Sequence, residues 1–361
     1  MRPAFLLLAV SLFFFSSCSR RPAFLPKPYL AFVASHGGRS VVVVDLANFR
    51  RLRTIPLPFR PLQIDVPPHA RELAVTSDDG KLAVINFPGL RVIKVIEAGS
   101  GLIDLAFRGR AEAIASSDHQ LMVFALPKWR LVRQFALSSP LAHVALTPDG
   151  KVLIGEDKVN SKLDFINPAD GRLVGTTPLG DKPGSMVVLR RKIFLANQGQ
   201  DSVTAVDLAS RGILSRIEIA APPTLLALKP DGGEVFAFSA ESPLATILDT
   251  FHDSVEQTLP AGKQPAAAIF TANSDSLYIA NAGEGTVTLI NVANRKVLAS
   301  VCVGIRPDAL ALTPDERLLA VTDKAAGSLA VMRAQPLGLL TTIPVGPDPE
   351  DVVVPDWLWK Q

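Results

Sequence analysis

Leu277-Tyr-Ile-Ala-Asn281, Gly285-Thr-Val-Thr-Leu-Ile-Asn291, Val297-Leu-Ala-Ser-Val-Cys-Val-Gly304 and Arg306-Pro307-Asp-Ala-Leu-Ala-Leu-Thr-Pro-Asp315 follow one another with hardly a gap. Each piece is a short apolar, β-branched run closed by Gly, Asn, Asp or Pro, which reads as a strand followed by a tight turn. Four strands make one unit. The unit recurs along the chain, its first strand beginning near Leu30, Glu72, Glu112, Val152, Ile193, Val235, Leu277 and Leu318. Successive starts lie about 40 to 42 residues apart, the period of a propeller blade.

The parts of the unit carry different chemistry. The strand that opens it is apolar: Ala31-Phe-Val-Ala34, Phe194-Leu-Ala-Asn197, Leu319-Ala-Val-Thr322. A turn of Gly, Asp, Asn and Ser follows, because these residues tolerate positive φ. The next strand is apolar again, and the one after it more polar, as suits an outer edge that must not recruit another chain. The last follows a proline, as in Pro61-Leu-Gln-Ile-Asp-Val66 and Pro223-Thr-Leu-Leu-Ala-Leu228, and several copies run into a Pro-Asp turn such as Pro148-Asp149-Gly150. It is rich in small residues, as a strand crowded around a propeller axis requires. The first unit lacks this strand, and the chain ends with a surplus copy, Pro349-Glu-Asp-Val-Val-Val354. Pairing that copy beside Ala31–Ala34 closes the ring and removes its open edge. The expectation is an all-β, single propeller of four-stranded antiparallel blades, eight by repeat count with seven as the alternative, closed by a blade shared between both chain ends.

Tyr278-Ile-Ala-Asn281 with Gly285–Asn291 and Thr313-Pro-Asp315 resembles the YVTN-type propeller repeat, and Ile193–Asn197 with Asp201–Asp207 is similar to it. From Tyr29 to Trp357 the chain resembles the YncE-like propellers of the bacterial envelope. The resemblance implies an envelope location and a mostly non-catalytic propeller, usually of seven blades. It supplies no catalytic motif.

Residues 1–17 read as a signal peptide, with Arg2 before an apolar run from Ala4 to Phe15. That run is about twelve residues, short of the ~20 of a spanning helix. Phe15-Ser-Ser-Cys18 resembles a lipobox, so Cys18 is the expected lipidation site and the bilayer an expected partner through its acyl chains. Residues 18–28 then form a tether and 29–361 the propeller. Ser19 after the cysteine points to the periplasmic side of the outer membrane. The other cysteine, Cys302, is left without a partner and is expected to be a buried, inert thiol.

The 37 basic and 34 acidic residues leave a net charge of +3, too balanced for a nucleic-acid surface. Two cysteines exclude a Cys-rich metal site. No haem-attachment, P-loop or G-x-S-x-G motif occurs, and His36, His69, His119, His143 and His252 lack metal-ligand spacing. No cofactor is expected. Aligning the proline-led strands brings Gln63, Asp104, His143, Ser185, Leu225, Ala267, Ala309 and Asp351 to one level around the channel mouth, with Arg306 nearby. Gln63, Asp104, His143, Ser185, Arg306 and Asp351 are the candidate ligand-binding residues; Asp104, His143 and Asp351 would be the set for a metal. The plain alternative is a water-filled mouth whose charges pair with their neighbours. Two functions follow: a monomeric, non-catalytic scaffold for an envelope protein, peptide or glycan, or a lactonase-type propeller hydrolase.

Overall fold

A computed structural model describes residues 29–356 apart from 69, 102–103 and 180–181. The signal peptide, the tether and Cys18 lie outside the described residues. Thirty-two strands form eight four-stranded antiparallel sheets. Seven sheets take four consecutive strands each, from Pro61–Asp65 to Gly338–Pro344. The eighth places Pro349–Val353 inside Leu30–Ser35, Ser40–Asp45 and Arg50–Pro56. Its closing pairs are Phe32 with Val353, Val33 with Val352, and Ala34 with Asp351. The count of eight holds, and the seven blades usual in the resembling family do not apply.

Burial follows the radial order. The second and third strands are buried almost throughout, as in Leu318–Asp323 and Ser40–Asp45. The outermost strands alternate, as in Arg91–Glu97. Core clusters lie between neighbouring blades: Phe32, Ala34 and Val43 of the closing blade pack on Ile64, Leu73 and Val75 of the next. Both faces of each sheet are therefore apolar, which accounts for a sequence that is 48% hydrophobic. Innermost strands send alternate side chains to opposite neighbours. Ile64 faces the preceding blade and Val353 the following one, in a single cluster.

The turns explain the repeated last residue of the second strand. Asn281 donates to Thr286 and Thr288 across the hairpin, and Asn197 likewise to Ser202 and Thr204. Asp323 accepts from the amides of Ile305, Arg306 and Ala326. In the turn after Asn281, Gly285 has φ +66°, and a Cβ there would stand 2.2 Å from the Gly304 carbonyl oxygen. Cys302 departs from expectation. It ends the outermost strand Lys296–Cys302 and is exposed. The alternation of that strand turns Val303, rather than Cys302, into the core.

Candidate functional site

The channel mouth gathers the first residues of the innermost strands, and each ring position faces one residue of the second strand in its own blade. Asp351 pairs with Ala34, Gln63 with Thr76, and Asp104 with Ser116. The His143 carbonyl accepts from the Glu156 amide at 2.9 Å, and the Glu156 carbonyl accepts from the Ala142 amide at 2.8 Å. The second-strand residues are small at most levels. Phe238, opposite Leu225, and Glu156 are the exceptions, and Glu156 alone is charged.

Three ring side chains are occupied by the scaffold. Asp104 accepts from the Val144 amide at 2.7 Å, Asp351 from the Ile64 amide at 2.8 Å, and Ser185 from the Leu226 amide at 3.0 Å. In each case the donor belongs to the innermost strand of the next blade. The second oxygens of Asp104 and Asp351 accept from Leu105 and Val352. These residues stitch blades together at the axis. Burial nonetheless pushes the Asp104 and Asp351 carboxyls above the usual carboxylate range, against those amide hydrogen bonds. Asp308 is raised by burial as well.

The remaining expected residues separate. Gln63 donates to Asp65 at 3.3 Å. Arg306 is exposed, and its backbone rather than its side chain is held by Asp323. His143 stands 3.9 Å from Asp104 through Nδ1 and 3.9 Å from Glu156 through Nε2. Burial holds His143 below its ordinary value, although Asp104 pulls it up. The neutral imidazole is thereby favoured over the imidazolium.

Two residues that the sequence reading passed over complete the site. Glu156 has a side chain with no exposed surface. Neither carboxylate oxygen receives a hydrogen bond; Lys158 approaches only to 3.9 Å. Burial pushes Glu156 up to about 7. Asp65 lies one pleat below Gln63, with Oδ2 buried and unpartnered. Burial, then Asp104 and Asp351, raise it to about 7. A signal for both existed in the repeat. Glu156 stands where other blades carry Ala34, Thr76, Ser116, Ala196, Phe238, Ala280 and Thr322, all uncharged, and Asp65 where they carry apolar residues such as Val353, Ala106, Ala145, Val187 and Ala311.

Chemically, the mouth holds two carboxyl groups, Glu156 and Asp65, that burial pushes up to about 7, and an imidazole held below its ordinary value. It can accept hydrogen bonds, balance a positive charge or exchange a proton. Among the described residues no group of three or more His, Cys, Asp and Glu side chains is disposed to hold a metal ion. The stitching amides occupy Asp104 and Asp351, so Asp104, His143 and Asp351 do not form the metal set considered from the sequence.

No family model matches the chain, and no curated protein matches it. Solved structures do. Dihydro-heme d1 dehydrogenase NirN in complex with DHE superposes with a TM-score of 0.77 at 17% identity, over 92% of this chain and 76% of that one. Apo AztD from Citrobacter koseri gives 0.66 at 13% identity, over 91% and 97%. Hydrazine synthase of Kuenenia stuttgartiensis gives 0.56 at 14%, over 69% and 88%. At these identities the likeness establishes the propeller fold alone.

Proposed function

We propose that the chain is a non-catalytic binding propeller of the cell envelope, anchored through Cys18, whose channel mouth takes a small, positively charged or hydrogen-bond-donating ligand. The observation that carries this reading is Glu156. A carboxylate enclosed without a donor costs stability, and such groups concentrate at functional sites. An ammonium group or a polar donor seated between Glu156 and His143 would supply the missing partner. Asp104, Ser185 and Asp351 then act as the rigid frame of the site.

The hydrolase alternative needs a metal or an activated nucleophile beside His143. The likeness to NirN, a dehydrogenase, keeps redox chemistry among the functions this fold hosts but transfers no residue. The test is thermal shift and equilibrium dialysis with a panel of primary amines and polyamines. Wild type should show saturable stabilisation, and Glu156→Gln should abolish it while the variant stays folded. No amine binding by wild type would overturn the ligand class. Turnover of lactones that depends on His143 would overturn the non-catalytic reading.

A further inference from the structure

The two faces of the propeller differ in charge, and the chain's N-terminal segment joins only one of them. Leu30 pairs with Asp45, and the strand runs from there toward Ser35 beside Pro349. Tyr29 therefore lies on the face that carries the loops between third and outermost strands and between innermost and second strands; its carbonyl accepts from Leu46 in the first of these. The channel mouth is on the other face.

On the blades from Pro61 to Glu218, the Tyr29 face exposes Arg71, Arg110, Lys128, Arg130, Arg190 and Arg191. Exposed acids there, among the described residues, are Asp149 and Asp170, and Asp149 is spent on Lys151 at 3.5 Å. Glu72 and Glu112, at the start of their strands, are engaged by Trp129 and by Arg108 and Arg133. Arg190 and Arg191 stand between two depressions of about 650 and 810 Å³. The larger is walled by Val188, Leu228, Pro230 and Phe251 together with Asp231, which Lys229 engages at 3.0 Å. Phe251 is 80% exposed at the tip of its loop. The mouth face has no such excess: Asp78, Asp79, Asp201, Glu241, Glu284 and Asp348 are exposed there beside Arg39, Arg60, Lys158, Lys182, Lys263 and Arg306.

We infer that the Tyr29 face is a docking surface for anionic phospholipid headgroups, and that it lays the propeller on the membrane with the channel mouth turned away. Three features select a lipid surface over an acidic protein. The cations are spread over several blades in loops of one face, as a planar charge requires. An aromatic ring projects beside them, as interfacial anchors do. The segment that precedes Tyr29 leaves from the same face, and Ser19 to Pro28 reaches at most roughly 35 Å when extended. Basic groups near an anionic leaflet are attracted within a Debye length, whereas the mouth face, where exposed acids and bases balance, gains no such attraction. The orientation rests on anchorage at Cys18; the lipid contact itself does not.

The test uses residues 29–361, whose ring closes within Leu30–Val353, so that no lipid anchor is present. Co-sedimentation with phosphatidylglycerol-rich vesicles should show binding that high salt abolishes, and pure phosphatidylcholine vesicles should show little. The triple variant Arg110→Glu, Lys128→Glu, Arg130→Glu should bind about tenfold or more weakly, as should Arg190→Ser with Arg191→Ser, which tests a second loop if the first variant misfolds. Reversing Lys182 and Lys263 on the mouth face should leave binding intact. Equal sedimentation with both vesicle types, or no sedimentation at all, would overturn the inference, as would an equal loss from the mouth-face variant. Because Cys18 is absent from this experiment, its failure leaves the anchor standing; loss of lipid label at Cys18 in cells would instead remove the anchor and leave vesicle binding.

Discussion

Glu156 shows how a single position can work against the fold that carries it. Its carboxyl is raised from 4.5 to about 7 by burial. The folded state thus binds more protons than the unfolded state between these values, so stability falls as pH rises through that window and levels off above it. Glu156→Gln removes this term and keeps the shape. The variant should be more stable than wild type at pH 8, by about 1 to 3 kcal/mol. The difference should shrink toward zero below pH 4.5. Urea melts of both proteins at several pH values measure it, and a pH-independent difference would exclude the linkage. Cys302 gives a second test at this scale. Its exposed thiol should react with an aromatic disulfide reagent in the folded protein, without denaturant; a thiol titratable only after unfolding would return it to the core.

Strands show most clearly what the sequence made legible. Alternation, turn residues and the proline before most innermost strands place the elements to within a residue or so: the strand expected near Val235 begins at Glu234, and that near Leu318 at Leu318. These features are local, since they arise from period-two burial and from φ preferences. The ring of innermost strands was readable as an alignment, but the role of its members was not. Asp104, Ser185 and Asp351 look like ligand-binding groups in one dimension. In three, each accepts an amide from the next blade, and that partner is 40, 41 or 287 residues away. Glu156 escapes the sequence for a related reason: it lies in a strand whose counterparts are apolar, and burial of a carboxylate becomes visible only when the opposing His143 is in place. The stitches should be measurable. Asp351→Ala orphans the Ile64 amide and should cost about 1 to 3 kcal/mol. Asp351→Asn keeps an acceptor and loses a charge that burial disfavours, so it should cost much less. Equal losses in the two variants would mean that charge, not the hydrogen bond, is what the site uses.

Closure decides whether the molecule is a ring or an open array. A linear repeat protein tolerates loss of a terminal unit, because each unit contacts only its neighbours. Here the last strand is the inner wall of the first blade, and Val352 packs with Val33, Val42 and Val44 of that blade and with Ala320 and Val331 of the blade before it. Removing residues 349–361 would strip one strand from the closing blade, unpair the inner edge of Leu30–Ser35 and open the apolar seam between two blades. It would also remove Asp351 and so the stitch to Ile64. The loss is therefore cooperative, and an unpaired buried strand edge invites aggregation. The truncated chain should melt at least roughly 10 °C lower than the full chain and associate at concentrations where the full chain is monomeric. Adding a synthetic peptide of residues 347–357 in excess should recover part of the stability, because the vacated slot still offers the pairing partners of Phe32, Val33 and Ala34. An unchanged melting temperature would mean that the ring holds without its clasp. Failure of the peptide alone would mean that the opened ring relaxes before the strand can return.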